Sequence, residues 1–248
     1  MGNTIAIHQP NFFPWLGFFT KILAADHFVI LDDAQLQKTG GGWTNRTRVI
    51  VSAEARWITA AIDRAQPGVR TVAQSTFADT PWRDKIVRTL TQSYAKAPHF
   101  QESSELLLPL VTQSTSNIAD YNIRSIVAIC EMLGINTSCF VRSSSLRIET
   151  TATRRLIDIV RKLGAEAYLS GDGAQGYQVD ELFRQSGVSL SKLGFIHPEY
   201  RQGNERHSFV PGLSIIDALM NVGIRATRTM LDEAVEASRT SCGAKKTS

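Results

Sequence analysis

The chain has 248 residues, 43% hydrophobic and 20% charged, with a formal net charge of +4. This is ordinary globular composition at a length that suits one large α/β domain, and there is no internal repeat or low-complexity tract. Its 3 cysteines, Cys130, Cys139 and Cys242, are odd in number and scattered, which excludes a disulfide framework and points to a reducing compartment.

The opening MGNTIAIHQP lacks the basic and apolar regions of a signal peptide. No apolar run approaches the ~20 residues that span a bilayer. The expected location is the cytoplasm, with no membrane partner. Lys and Arg are dispersed except around 142–147 and 154–162, which argues against DNA. The mild positive charge is either a solvated face or a match for an anionic partner: a nucleotide, an acidic carrier protein or an RNA.

Residues 4–7 form a short β-branched run and read as a buried strand. His8-Gln9-Pro10-Asn11 must then be a loop, since Pro10 holds Gln9 extended and lacks a ladder donor. Pro14 suits the first turn of a helix whose apolar face is Trp15, Leu16, Phe18, Phe19, Ile22 and Leu23. Residues 27–31 are the next strand, with Asp32 and Asp33 at its end. Strand, loop, helix and strand within some thirty residues is the form of a βαβ unit, and ligands bind beyond the carboxyl ends of such strands.

A Gly-rich polar loop covers 35–48, followed by strands at 48–53 and 56–62. Helical periodicity runs through a predicted insert at 81–135, and 137–141 reads as a strand. Residues 143–145 are a serine turn. A helix over 151–163 stops at Gly164, and a strand over 167–170 leads into SGDGAQGY, residues 170–177, which turns into a helix running to Phe183. Residues 195–197 end near Pro198. The last helices are predicted over 214–221 and 231–238. The domain expectation is a single α/β unit over 1–238 with the helical insert, and a disordered tail over 239–248.

Six blocks carry a further signal: HQPNFFPWLGFFTKI (8–22), VILDDAQ (29–35), WTNR (43–46), RLIDIVRKLGAEAYLSGDGAQGY (155–177), HPEYRQ (197–202) and FVPGLSIIDALMNVG (209–223). Together and in order they resemble the WbqC-like family over residues 5–223. The resemblance implies a Rossmann-like parallel sheet flanked by helices, similar to nucleotidylyltransferases in its strand–loop–helix opening. It also implies a role in polysaccharide, amino-sugar or natural-product biosynthesis. Two departures matter. Gln175 stands where the family carries Lys. Phe12-Phe13-Pro14-Trp15 occupies the turn where nucleotidylyltransferases carry HxGH.

His8 is either a satisfied structural histidine or, with the Gln9 and Asn11 amides, a proton acceptor at a strand end. Asp32 and Asp33 are turn carboxylates, or one of them binds a substrate ammonium or orients His8; strand alternation lets at most one face the cleft. Lys38, Trp43, Asn45 and Arg46 on the Gly-rich loop are placed to close over a ligand. Ser170, Gly171 and Gly173 form a ligand-binding turn whose following helix N-terminus offers N–H groups to an anion, with Tyr177 walling the site. His197 and Tyr200 are further candidates. The catalytic expectation is His8, Asp33 and His197. The serines at 143–145 read as capping, Cys130 as core, and no metal ligand set is predicted.

These residues permit acyl or aminoacyl transfer to the amine of an amino sugar or small metabolite. The donor would be a carrier-protein thioester or an aminoacyl-tRNA, and no cofactor is expected. The alternatives are an ATP-dependent ligase or nucleotidyltransferase, which would need ATP, and a non-catalytic ligand-binding protein.

Overall fold

A computed structural model describes residues 3–37, 42–65, 68–171, 179–203 and 208–244. Five strands, β1 (Thr4–His8), β2 (His27–Ile30), β5 (Phe140–Arg142), β6 (Ala167–Ser170) and β7 (Ser189–Lys192), form one sheet in the order β5-β2-β1-β6-β7. Every neighbouring pair is parallel. All five carboxyl ends therefore lie along one edge. A separate antiparallel hairpin joins β3 (Arg46–Val51) to β4 (Glu54–Thr59).

Strand alternation divides the core in two. Ala6, Phe28, Ile30 and Leu169 pack with α1 (Leu16–Leu23), α4 (Ile118–Met132) and α7 (Ile215–Ala244). Ile5, Ile7, Val29 and Tyr168 pack on the opposite side with α5 (Ala152–Lys162) and Phe183 of α6 (Asp180–Ser186). This is an α/β fold of Rossmann-like form. The insert resolves into α2 (Trp82–Tyr94), α3 (Phe100–Thr112) and α4, all joined to the first core.

Several boundaries differ from the sequence reading. Pro14 precedes the helix, whose N-cap is Trp15, in a β-bridge with Ser214. The strand read at 137–141 starts at Phe140, leaving Cys139 in the turn before it, and β7 (Ser189–Lys192) is a strand that was not read. The two C-terminal helices abut at Gly223 (φ 80), and the second runs on to Ala244 through residues expected to be a disordered tail. At Gly223 a Cβ would lie 2.6 Å from His99 Nδ1, so both the backbone angle and the packing require glycine. Among the described residues no helix is long and apolar enough to cross a membrane.

Candidate functional site

His8 is the last residue of β1, and alternation turns it to the α1 side of the sheet. Its ring stands edge-on to Phe18 (4.9 Å between centroids) and Trp15 (5.8 Å). His8 Nδ1 lies 3.0 Å from the Gln9 carbonyl oxygen. A carbonyl can only accept, so Nδ1 carries the proton and Nε2 is the bare nitrogen. Nε2 makes no hydrogen bond among the described residues. His8 keeps part of its surface exposed, yet burial of the ring, and then the charge of Lys21, push its pKa down to about 3. The ring is therefore neutral at pH 7.

Lys21 was not among the sequence candidates. It lies in α1, is 3% exposed, and donates from Nζ to the Ile7 carbonyl at 2.8 Å. Its ammonium also sits 5.8 Å from the centre of the Tyr168 ring, and a Cβ on Gly171 would meet Nζ at 3.9 Å. The ends of β1 and β6 thus meet around one buried cation. The sequence signal was available: LGFFTKIL has a single charged residue in an otherwise apolar turn pair.

The 9–12 loop is held from below. Asn122 of α4 donates Nδ2 to the carbonyls of Pro10 (2.8 Å) and Thr44 (2.7 Å), and Phe12 N donates to Trp43 O at 2.8 Å. Thr44 Oγ1 donates to Gln9 Oε1 at 3.5 Å. Asn11 is 3% exposed, and its Nδ2 has no partner among the described residues; the same is true of Asn122 Oδ1.

Asp32 and Asp33 form a second cluster farther along the edge, beyond β2 and β5. Asp32 is fully buried and accepts from Arg142 Nε (2.8 Å), Ser143 Oγ (3.1 Å), Ser144 N (3.0 Å) and Ser144 Oγ (2.8 Å). Burial alone would raise its pKa, but the Ser144 N–H, Arg142 and the Ser144 hydroxyl outweigh it and hold the carboxyl below its ordinary range. Asp33 pairs with Arg155 and contacts Ser143 Oγ. Both carboxylates lie past the strand end and grip the same serine, so the expectation that only one could face inward fails: alternation does not apply beyond Ile30. The serines read as a capping turn hold this cluster together.

Trp43, Asn45 and Arg46 are anchored rather than poised to close. Asn45 is buried and donates Nδ2 to Ala60 O at 2.9 Å, Arg46 begins β3, and the Trp43 ring is wedged between Trp15 and Trp57. His197 lies to one side. Its Nε2 accepts from Gly212 N at 2.8 Å and burial lowers its pKa. It is one ring removed from α1, since Phe195 contacts it at 5.0 Å and also packs over Gly17. Tyr200 donates to Asp217 Oδ2 at 2.8 Å, beside Tyr94, which donates to Oδ1 at 2.7 Å. That buried knot was also unforeseen.

Ser170 is buried and ends β6. Lys38, Gly173 and Tyr177 lie outside the described residues. The helix expected to rise directly from the Gly173 turn begins, among the described residues, only at Asp180. With Asp180 and Glu181 in its first turn, its N-terminus is met by carboxylates of its own. The anion site expected at the turn after Gly173 lies outside the described residues.

The model of the WbqC-like protein family matches residues 9–229. The chain belongs to that family. It is also 31% identical over 224 residues to uncharacterized protein Rv1507c of Mycobacterium tuberculosis (strain ATCC 25618 / H37Rv), a match covering 90% of this chain and 95% of the relative. No solved structure matches this WbqC-like chain. Among its described residues no group of three or more His, Cys, Asp or Glu side chains is arranged to hold a metal ion. Cys130 is buried in the core, where burial pushes its thiol up to about 12.

Proposed function

We propose that this WbqC-like chain transfers an acyl or aminoacyl group to the amine of an amino sugar or small metabolite in the cytoplasm. The observation that carries the reading is the pair at the carboxyl end of β1: a neutral His8 with Nε2 available as an acceptor, and the buried Lys21 ammonium beside it. An attacking amine must be unprotonated and must shed a proton as its C–N bond forms. His8 Nε2 accepts a hydrogen bond from such an amine and takes its proton as negative charge grows on the acyl oxygen. Lys21 stabilises that oxygen in a site with little water to screen it. The C–S bond of a thioester, or the C–O bond of an aminoacyl ester, then breaks, and the proton on His8 passes to the departing sulfur or oxygen.

A depressed pKa in the empty site suits this order of events. The ring stays neutral until an anionic acyl oxygen offsets the charge of Lys21. The nucleotidyl-transfer reading finds less support, because Phe12 and Phe13 are fully buried at the turn that would need histidines.

The test is product detection by mass spectrometry. Amino sugars are offered with acyl carrier-protein thioesters, with aminoacyl-tRNA, and with a free acid plus ATP. An amide product from either of the first two, reduced about a hundredfold or more in His8→Ala, supports the proposal. Product only with ATP, or binding of an amino sugar without any product, sinks it in favour of a ligase or a binding protein.

A further inference from the structure

Of the four tryptophans in the chain, three form a row that starts at the proposed centre. The His8 ring contacts Trp15 at 5.8 Å, Trp15 contacts Trp43 at 4.7 Å, and Trp43 contacts Trp57 at 4.8 Å. The row ends in the open: Trp57, on β4, is 41% exposed. The Arg46 guanidinium stacks over the Trp57 ring, 4.1 Å from its centre, and so covers one face of the indole. Arg48 is the residue directly opposite Trp57 in the hairpin register, so both project from the same face. The Arg48 guanidinium makes no hydrogen bond or ion pair among the described residues. A ladder built only for packing would bury its outermost ring and would not need an uncompensated guanidinium beside it.

Exposed indole beside arginine is the chemistry that stacks a nucleobase and receives its phosphate. We infer that the face formed by Trp43, Trp57, Arg46 and Arg48 is a binding site for a nucleoside phosphate, with the far end of the ligand directed along the row to His8. The row accounts for the anionic donors considered above better than diffuse charge does, because it supplies a planar surface as well as cations. An acidic carrier protein would use the arginines but not the exposed indole face. The inference rests on the acyl-transfer reading only for the ligand's role as donor; binding is measured without turnover.

Nucleoside phosphate can come from a free nucleotide, a nucleotide-linked amino sugar or the end of an RNA. The experiment therefore titrates tryptophan fluorescence of the full chain with AMP, ATP, a uridine-diphosphate amino sugar and a short single-stranded RNA ending in CCA, with inorganic pyrophosphate as the control. Trp82 lies elsewhere, packed against Phe77 and Tyr121, so quenching reports on the row. Saturable quenching by one or more of the nucleoside-bearing probes, and not by pyrophosphate, is expected, and the tightest probe names the source. Trp57→Ala should weaken it about tenfold or more while Trp57→Phe keeps most of it. Arg48→Gln should weaken binding and flatten its salt dependence.

If Trp57→Ala melts early, Arg48→Gln carries the test. No quenching by any nucleoside probe at millimolar concentration, or binding by Arg48→Gln equal to that of wild type, overturns the site. Nucleotide binding in a protein that forms no amide with any donor would instead retain this site and refute the acyl-transfer reading.

Discussion

Lys21→Met separates a functional lysine from a structural one. The ammonium is 3% exposed and donates to the buried Ile7 carbonyl at 2.8 Å. Keeping an ammonium out of water costs several kcal/mol, a penalty that an apolar chain of similar length escapes. Against that, the Ile7 oxygen loses a donor, at a cost of about 1–3 kcal/mol. The two effects oppose, so the net change should stay within about 2 kcal/mol, which for a chain of this size is less than ~8 °C in melting temperature. Lys21 is also the second cause, after burial, of the low His8 pKa. In the variant that pKa should rise from about 3 part of the way towards 6.5, followed by the His8 ring proton signals in an NMR pH titration.

The sign of the pH dependence follows. The His8 pKa in the folded chain lies below its unfolded value, so acid favours the unfolded state from about pH 6.5 downward, by roughly 2 kcal/mol at pH 5. Lys21→Met should soften that loss. A melting temperature more than about 10 °C lower, with the His8 titration unmoved, would show that Lys21 is a fold keystone and no part of a charge-tuned site.

Asp32→Ala should cost about 1–3 kcal/mol, because it leaves the Ser144 donors unpaired around a buried gap while Arg142 keeps Asp120; calorimetry at neutral pH checks this. With the folded pKa of Asp32 depressed, its stabilisation is present above the ordinary carboxylate range and is lost as pH falls through the lower folded value, so the variant should show a shallower acid unfolding curve than wild type. Gly223→Ala should destabilise by at least about 1 kcal/mol, from a positive φ and a clash with His99. A companion His99→Ala change should recover the part of that loss due to the clash; no recovery in a double-mutant cycle would refute the packing account.

Four of the five strands were legible because they are short, mostly apolar runs set between helices, and these signals are local; β7, Ser189–Lys192, has no such pattern and was not read. Gly164 takes positive φ where a helix stop was read, and Gly134 does the same just past the end of α4. The edge that gathers His8, Ser170 and Gly171 followed from parallel topology alone. What stayed hidden was the partner of each polar group. Ser143 and Ser144 look like capping residues until β5 sets them against Asp32, over a hundred residues earlier in the chain. Asp217 is one acid in an apolar helix until α2 brings Tyr94 to it. Trp57 reads as half of a strand alternation, and only the hairpin register places it beside Arg48 and against Trp43. Lys21 was hidden for a different reason: a helix pattern read for its apolar face passes over the one charge within it.

The carboxyl edge has two halves of different character, and the contrast supports the site proposed beyond β1. Beyond β2 and β5 the carboxylates are engaged: Asp32 uses both oxygens, and Asp33 is matched to Arg155, whose Nε alone stays unpaired among the described residues. A carboxylate so engaged is costly to free and is a poor base, and the physical result is a rigid wall. Beyond β1 the bonding does not close. His8 Nε2, Asn11 Nδ2 and Asn122 Oδ1 have no partner among the described residues, and they flank one short loop that Pro10 stiffens. Buried polar atoms left unpaired cost about 1–3 kcal/mol each. Two such buried atoms around one loop, with the solvent-accessible His8 Nε2 beside them, support the proposal that a ligand completes this end of the sheet.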